Sequence, residues 1–135
     1  MDALVNIDVD DLDRAVEFYC TALELRVSRH LGGGVVELLG GNAPIYLLDK
    51  RAGSLAAAGQ PRDYARHWTP VHLDFVVTDI DAAVARAIAA GAVLEQPVQT
   101  DVWGKLAVMA DPFGHGFCFV QFLDRGYDEI ATAPA

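Results

Sequence analysis

The side chains in this sequence that could support acid–base or metal chemistry lie mainly in two short alternating segments. His72 and Asp74 are two residues apart in one of them, so both should point to the same face of a β-strand. Asn6 and Asp8 repeat this spacing near the N-terminus. A histidine can act as a general base, a metal ligand or a hydrogen-bonding anchor, and a carboxylate can bind a cation or accept a proton. A hydrogen-bonded strand histidine and carboxylates paired at a rim are the simpler alternatives, and the sequence leaves both open.

Cys118 and several aromatic residues are the other candidates for ligand contact. A nucleophilic cysteine needs a base beside it, and the sequence shows no histidine-plus-acid arrangement near Cys118, so a small buried hydrophobe is the simpler interpretation. An aromatic side chain could stack on an aromatic ligand or pack in the core. Trp103 is the strongest of these because it lies in a predicted hairpin turn; the others are Tyr46, Trp68 and Phe122.

The elements that position these side chains come from an internal repeat. Val9–Val16 and Val77–Val84 are two versions of one phrase, each following a strand pattern and opening an amphipathic helix. Asp11 and Asp79 are placed to cap those helices. Both halves are predicted to have the order βαβββ, which gives an α+β fold with two curved mixed sheets. The predicted helices are 12–23 and 80–90, with Gly91 as a left-handed cap, and the predicted strands are 3–9, 25–30, 35–39, 44–48, 70–77, 93–100, 105–110 and 117–123.

The chain divides into four predicted segments: a first module at 1–49, a linker at 50–69, a second module at 70–123 and a C-terminal tail at 124–135. The linker is rich in small residues and breakers and has room for one helical turn. Tyr64, His67 and Trp68 are expected to tether its end. We expect the tail to fray, and we expect His30, His67 and His115 to be exposed to solvent.

The composition argues against several classes of partner. The 135 residues include 10 Lys and Arg against 19 Asp and Glu, a net charge of −9. This charge disfavours nucleic acid and anionic membranes as partners and weakly favours a cationic ligand. The N-terminus lacks the basic and apolar regions of a signal peptide, and no apolar run is long enough to span a membrane. We therefore expect a cytoplasmic protein with both cysteines reduced.

Three motifs, together with the repeated element order, resemble the vicinal oxygen chelate superfamily. This superfamily includes glyoxalase I, extradiol dioxygenases, fosfomycin-inactivating enzymes and bleomycin-binding resistance proteins. The motifs are the run from Val9 to Tyr19 followed by Leu23-Glu24-Leu25, the run from His72 to Asp81, and the run from Ala110 to Phe119. The family often has Gly where Glu24 stands. The resemblance covers most of the chain and implies the glyoxalase-type fold of two βαβββ modules around a cleft, but this fold supports many chemistries.

The same resemblance bears on metal binding. Metal-dependent members hold a divalent ion with His, Gln or Glu side chains from the first and last strands of each module, and these positions correspond here to Leu4, Tyr46, His72 and Cys118. Leu4 offers no ligand atom and Tyr46 is a poor ligand at neutral pH, so the set falls short of the three protein ligands of a catalytic zinc site. We therefore expect no metal and no other cofactor. The alternative is a shifted ligand set drawn from His72, Asp74, Glu37 and Asp8.

The leading hypothesis is a metal-independent small-molecule binding protein, similar to the bleomycin-resistance type, that sequesters a cationic or aromatic drug or metabolite in its cleft. A divalent-metal-dependent lyase, isomerase or dioxygenase with an atypical ligand set is the alternative, so enzyme activity is left open. A third hypothesis is an interaction module whose cleft is filled by Leu4 and Tyr46. The resemblance also implies a homodimer, because a second chain often completes the cleft. The predicted ligand-binding residues are Leu4, Asn6, Tyr46, His72, Asp74, Trp103, Cys118 and Val120.

Overall fold

The computed structural model describes residues 1–133. They contain two modules with the same order of elements, joined by a linker. The first contains β1 (Val5–Val9), α1 (Leu12–Ala22), β2 (Arg26–Leu31), β3 (Val35–Leu39) and β4 (Ile45–Asp49). The second contains β5 (Leu73–Val76), α2 (Ile80–Ala90), β6 (Val93–Leu94), β7 (Gln99–Asp101), β8 (Gly104–Ala110) and β9 (Gly116–Phe122). Short 3-10 helices lie at Ala57–Gly59 and Gly126–Glu129. The predicted α+β fold is confirmed.

Each module builds one mixed sheet in which the first strand runs parallel to the last. The first sheet has the order β1-β4-β3-β2, with β1 parallel to β4 and the other pairs antiparallel. The second has the order β5-β9-β8-β6, with β5 parallel to β9, and β7 also pairs with β8. The two sheets thus share one connectivity, as the repeated phrase predicts.

The helix ends follow the predicted capping residues closely. Asp11 and Asp79 each accept a hydrogen bond from the backbone N–H three residues later, at 3.1 Å in both helices. Gly91 ends α2 in the left-handed conformation, with φ of +117°. α1 ends at Ala22, one residue before the predicted end, and Glu24 has φ of +54° at the position where the family often has Gly. Within residues 1–133, neither helix is long and apolar enough to cross a membrane.

The core lies between the helices and one face of each sheet. In β4, for example, Ile45 and Leu47 are buried on the helix side, while Tyr46 points the other way. α1 also packs against α2, which joins the two modules into one core. We call the face of each sheet that points away from its helix the open face. The side chains available to a ligand lie on these open faces.

The single strand predicted for 93–100 is wrong, because the chain breaks there into β6 and β7. Glu95 still donates its backbone N–H to the carbonyl of Val108, at 2.8 Å. Pro97 follows, and it has no N–H with which to continue the ladder. The chain therefore leaves β8 over a few residues and pairs with it again at Gln99.

Two further predictions are wrong: that His115 is exposed to solvent and that the C-terminal tail frays. His115 is only partly exposed: its Nε2 lies 2.7 Å from the carbonyl oxygen of Asp8, and its ring packs edge-on against Tyr64. The tail does not simply fray, because the 3-10 helix at Gly126–Glu129 places Tyr127 against Phe122 with ring centroids 4.8 Å apart. Residues 134 and 135 of the predicted tail lie outside the described residues.

The linker packs tightly across the turn between β8 and β9. The Tyr64 hydroxyl donates to the carbonyl of Lys50 at 2.6 Å, and its ring packs edge-on against His115, so Tyr64 ties the end of the linker to its start and to the second module, as predicted. A Cβ atom on Gly114, which has φ of +86°, would collide with the backbone carbonyl of Tyr64, and one on Gly116 would lie 2.5 Å from Nη2 of Arg66. Gly114 is therefore required for this close approach, because its neighbour is backbone, whereas the Arg66 side chain could move away from a Cβ at Gly116.

Candidate functional site

His72, Asp74 and Cys118 meet on the open face of the second sheet. Asp74 in β5 pairs with Cys118 in β9, so their side chains point to the same side, and His72 directly precedes β5 on that face. The potential ligand atoms of all three lie within 4.8 Å of one another, and His72 Nε2 is 3.3 Å from Asp74 Oδ1. The structure thus unites three of the predicted ligand-binding residues. It also shows the histidine and acid beside Cys118 that the sequence did not reveal.

The environment of Cys118 determines what its thiol can do. Burial first, and the neighbouring carboxylate of Asp74 second, raise the pKa of this thiol to about 11. A thiol with such a pKa stays protonated near neutral pH, which does not support a free thiolate nucleophile. A metal ion bound to the sulfur would displace the proton, because only the thiolate is a metal ligand.

A cavity of about 240 Å³ adjoins this cluster. Leu106 and Val108 of β8 supply an apolar floor, and Cys118 lies directly opposite Val108. Trp68 of the linker forms one side, with its ring centroid 5.7 Å from that of His72 and with 69% of the residue exposed. An apolar floor, an accessible indole and converging polar groups are typical of a small-molecule site.

Arg66 also borders this cavity, but its guanidinium is already engaged. It forms two parallel hydrogen bonds with Glu95, Nε to Oε2 and Nη2 to Oε1, each at 2.9 Å. Its Nη1 donates to the carbonyl of His67. The ion pair raises the pKa of Arg66 and lowers that of Glu95, mainly through these hydrogen bonds. Arg66 therefore joins the linker to the second sheet through Glu95.

The open face of the first sheet carries a separate polar network around Glu37. This buried carboxylate accepts hydrogen bonds from Arg29 Nε at 2.8 Å, Arg29 Nη2 at 2.6 Å and the Tyr46 hydroxyl at 2.8 Å. Arg29 first and Tyr46 second lower the pKa of Glu37 to about 2, and Glu37 in turn raises the pKa of Tyr46. Asn6 pairs with Tyr46 in the parallel ladder and so shares this face.

The remaining predicted site residues lie apart from the cluster. Asn6 lines a second cavity, of about 340 Å³, together with His72. Leu4 precedes β1 and is 60% exposed, and Val120 is buried. Trp103 packs against Phe122 and Tyr127, with centroids 6.5 and 5.1 Å away. A third cavity, of about 670 Å³, is lined by Asp74 and by residues of β1 and β5. Leu4, Tyr46, Trp103 and Val120 line none of these three cavities.

These positions also decide between earlier alternatives. The prediction that Leu4 and Tyr46 fill the cleft is wrong, because Leu4 is exposed and open cavities adjoin His72. Of the shifted ligand set, only His72 and Asp74 come together. Asp8 instead pairs with Arg62 at 2.7 Å, and Glu37 is held by the network just described.

Sequence reasoning missed the part of the cavity wall that β8 and the residues before β7 supply. Leu106, Val108 and Gln96 line the cavity and were not among the predicted site residues. The alternation of β8 carries the signal for two of them, because antiparallel pairing places Leu106 and Val108 opposite Val120 and Cys118. Gln96 lies in the break beside Pro97, and no local pattern identifies it.

Comparison with known proteins supports the same architecture. The family model of the glyoxalase-like domain matches residues 4–120. An uncharacterised protein of Mycobacterium bovis is 30% identical over 131 residues, which span 93% of this chain and 86% of that protein.

Solved structures of several members of this superfamily share the fold. The genomically encoded fosfomycin resistance protein of Listeria monocytogenes superposes with a TM-score of 0.68 at 18% identity, covering 90% of this chain and 92% of that one. A lactoylglutathione lyase of Agrobacterium tumefaciens gives 0.62 at 23% identity, covering 90% and 94%. Identities this low show the fold alone. The family model that matches residues 4–120 shows that the chain belongs to the glyoxalase-like domain family.

Proposed function

We propose that this protein binds a small molecule without a metal and sequesters it on the open face of the second sheet. The observation that carries the proposal is the cavity between Trp68 and the β8–β9 floor, with His72 and Cys118 in its wall and Asp74 beside both of them. Its volume of about 240 Å³ is slightly below the roughly 300 Å³ at which pockets for drug-sized ligands begin. A compact metabolite, or one ring system of a larger drug, fits this space.

The predicted contacts divide into three groups under this proposal. His72 and Cys118 contact the ligand within the cavity, and Asp74, which lies beside both, contacts it at the rim. Asn6 extends the site toward the first sheet, since it shares a neighbouring cavity with His72. Leu4, Tyr46, Trp103 and Val120 remain proposed contacts that require either a larger ligand or a second chain.

The two tryptophans of the chain provide a direct test. In a Trp103→Phe variant, Trp68 is the sole tryptophan, so a ligand entering the cavity should change its fluorescence. The matched Trp68→Phe variant retains only Trp103, which packs in a different cluster and should respond weakly. Filling the cavity with Val108→Phe should abolish the response while circular dichroism remains native. The proposal fails if no compound in a library of aromatic and cationic molecules alters the fluorescence or the melting temperature.

A divalent-metal enzyme is the second candidate, and the cluster of His72, Asp74 and Cys118 favours it. In a tetrahedral site with bonds of about 2.0–2.3 Å, ligand atoms lie about 3.3–3.7 Å apart. The three atoms here lie within 4.8 Å, so small side-chain rotations bring them to that spacing. Three protein ligands would leave one position open for substrate or water, and the ion would act there as a Lewis acid.

Metal content and thermal shifts separate the two candidates. The enzyme hypothesis expects near-stoichiometric metal in tag-free protein, or a rise in melting temperature with nickel, zinc, manganese or iron(II) that a chelator reverses. His72→Ala should remove this effect, and His30→Ala on the exposed edge strand β2 should preserve it. Metal binding that survives His72→Ala would rule out this site.

We propose further that the protein is a homodimer. Leu4, Val71 and Val76 are all more than half exposed beside the β1 and β5 edges and provide apolar surface for a second copy. Light scattering after size exclusion should give twice the chain mass of 14.5 kDa. A Val76→Glu variant should shift the protein toward monomer, and a monomeric wild type at micromolar concentration would refute the proposal.

A further inference from the structure

We infer that the cavity beside Trp68 selects an organic cation, specifically a planar aromatic group bearing a protonated nitrogen. This inference rests on the proposed binding function and specifies the class of ligand. It is carried by the charges around the cavity, by the exposed indole of Trp68 and by the carboxylate of Asp74.

Three arginines near the two open faces are paired with carboxylates. Arg66 is the only Lys or Arg of residues 1–133 that lines the cavity, and it makes two hydrogen bonds to Glu95 and one to the His67 carbonyl. On the first sheet Arg29 is held by Glu37, and in the linker Arg62 is held by Asp8. An anionic ligand approaching one of these arginines would meet the carboxylate that already neutralises it, which disfavours its binding.

The accessible groups, in contrast, favour positive charge. Asp74 forms no ion pair with Lys or Arg among residues 1–133, and its side chain is 39% exposed. Its carboxylate contacts the imidazole of His72 and the thiol of Cys118, and because a carboxylate has about four lone-pair sites it can still accept hydrogen bonds from a ligand. A protonated nitrogen placed there would gain a charge-assisted hydrogen bond.

Trp68 explains why the cation should also be planar and aromatic. Its indole is exposed at the side of the cavity, next to the imidazole of His72. An indole attracts a cation to its face and stacks on other flat rings. The apolar floor of Leu106 and Val108 would cover the opposite side of such a ring. The net charge of −9 adds a long-range attraction of the same sign.

Three probes of nearly identical shape test this inference: benzamidine, a planar cation; benzamide, its neutral analogue; and benzoate, its anionic analogue. Their binding is measured by fluorescence of the Trp103→Phe variant with chelator present, so that no metal contributes. We expect benzamidine to bind most tightly and benzoate most weakly. Asp74→Asn should weaken benzamidine by about two- to fivefold, the range of a partly exposed charge pair, and should leave benzamide unchanged.

A matched charge change distinguishes contact from long-range field. Asp81→Asn removes one negative charge from an exposed residue of α2, on the opposite face of the second sheet from the cavity, and should alter benzamidine binding less than Asp74→Asn does. Benzoate binding as tightly as benzamidine, unchanged benzamidine binding in Asp74→Asn, or no binding of any probe at millimolar concentration would overturn the inference. The proposed binding function would still stand if other, uncharged or anionic, compounds bound in the cavity, so the two failures are distinguishable.

Discussion

The hydrogen bond between Tyr19 and Asp111 should make a large contribution to stability, and Tyr19→Phe tests it. The Tyr19 hydroxyl donates to Oδ2 of Asp111, and both residues are buried. The other carboxylate oxygen, Oδ1, accepts the backbone N–H groups of Phe113 and His115, each at 2.8 Å. The bond thus connects α1 of the first module to the β8–β9 turn of the second. Removing it leaves a buried carboxylate oxygen without its donor.

The size of the effect follows from this burial. A hydrogen bond to a charged group contributes about 1.5–3 kcal/mol, and water cannot easily replace the hydroxyl at a carboxylate that is 5% exposed. For a chain of this length, the melting temperature should fall by about 6–10 °C and the urea midpoint by about 1–2 M, with an unchanged m-value. Tyr127→Phe is the control, because that side chain is half exposed and its hydroxyl makes no hydrogen bond within the described residues.

A pH titration provides a second, independent readout. Burial first, and Asp111 second, raise the pKa of Tyr19 well above its ordinary value of 10.0. The folded protein therefore keeps this proton while the unfolded chain loses it, so the stability is fully present below pH 10 and falls as the pH rises above it. Tyr19→Phe should lack this alkaline loss. A melting temperature within about 2 °C of wild type, or an identical alkaline slope, would refute the reasoning.

Two further substitutions test other features of the fold. Arg29 lowers the pKa of Glu37 to about 2, so the stabilisation from this charge is fully present above pH 4.5 and is lost as the pH falls toward 2. The melting temperature of Glu37→Gln should therefore fall less between pH 5 and pH 2 than that of the wild type. An equal fall in both proteins would contradict this. Gly114→Ala should destabilise by about 2 kcal/mol or more, because its Cβ meets the Tyr64 carbonyl and φ is positive. Gly41→Ala is the control, because a Cβ atom at Gly41 would face open space, and it should change the urea midpoint little. Equal effects of the two substitutions on the urea midpoint would count against a tightly packed linker.

The fold was predictable from the sequence because its main signals are local. Asp11 and Asp79 cap their helices within three residues, and Gly91 ends α2 by its own backbone freedom. The duplicated phrase then supplied the connectivity of both sheets. The wrong prediction of a single strand at 93–100 also has a local cause, because Pro97 itself indicates the break between β6 and β7.

The candidate site was less predictable because it depends on pairing between distant strands. Alternation correctly placed His72 and Asp74 on one face, but the parallel register that brings Cys118 beside Asp74 has no local signature. The same holds for His115, which contacts Asp8 across the modules. Trp68 was recognised as a possible ligand contact, yet only the path of the linker places it beside His72.

The packing of the linker over Gly114 makes one side of the cavity depend on a connecting segment. Trp68 and Thr69 of the linker form that side, so neither βαβββ module supplies it alone. The cavity is therefore a property of the two modules together with the segment that joins them. Insertions or deletions at 64–69 should consequently reshape ligand choice, whereas new termini opened in the turn Gly32–Gly34 should leave it intact.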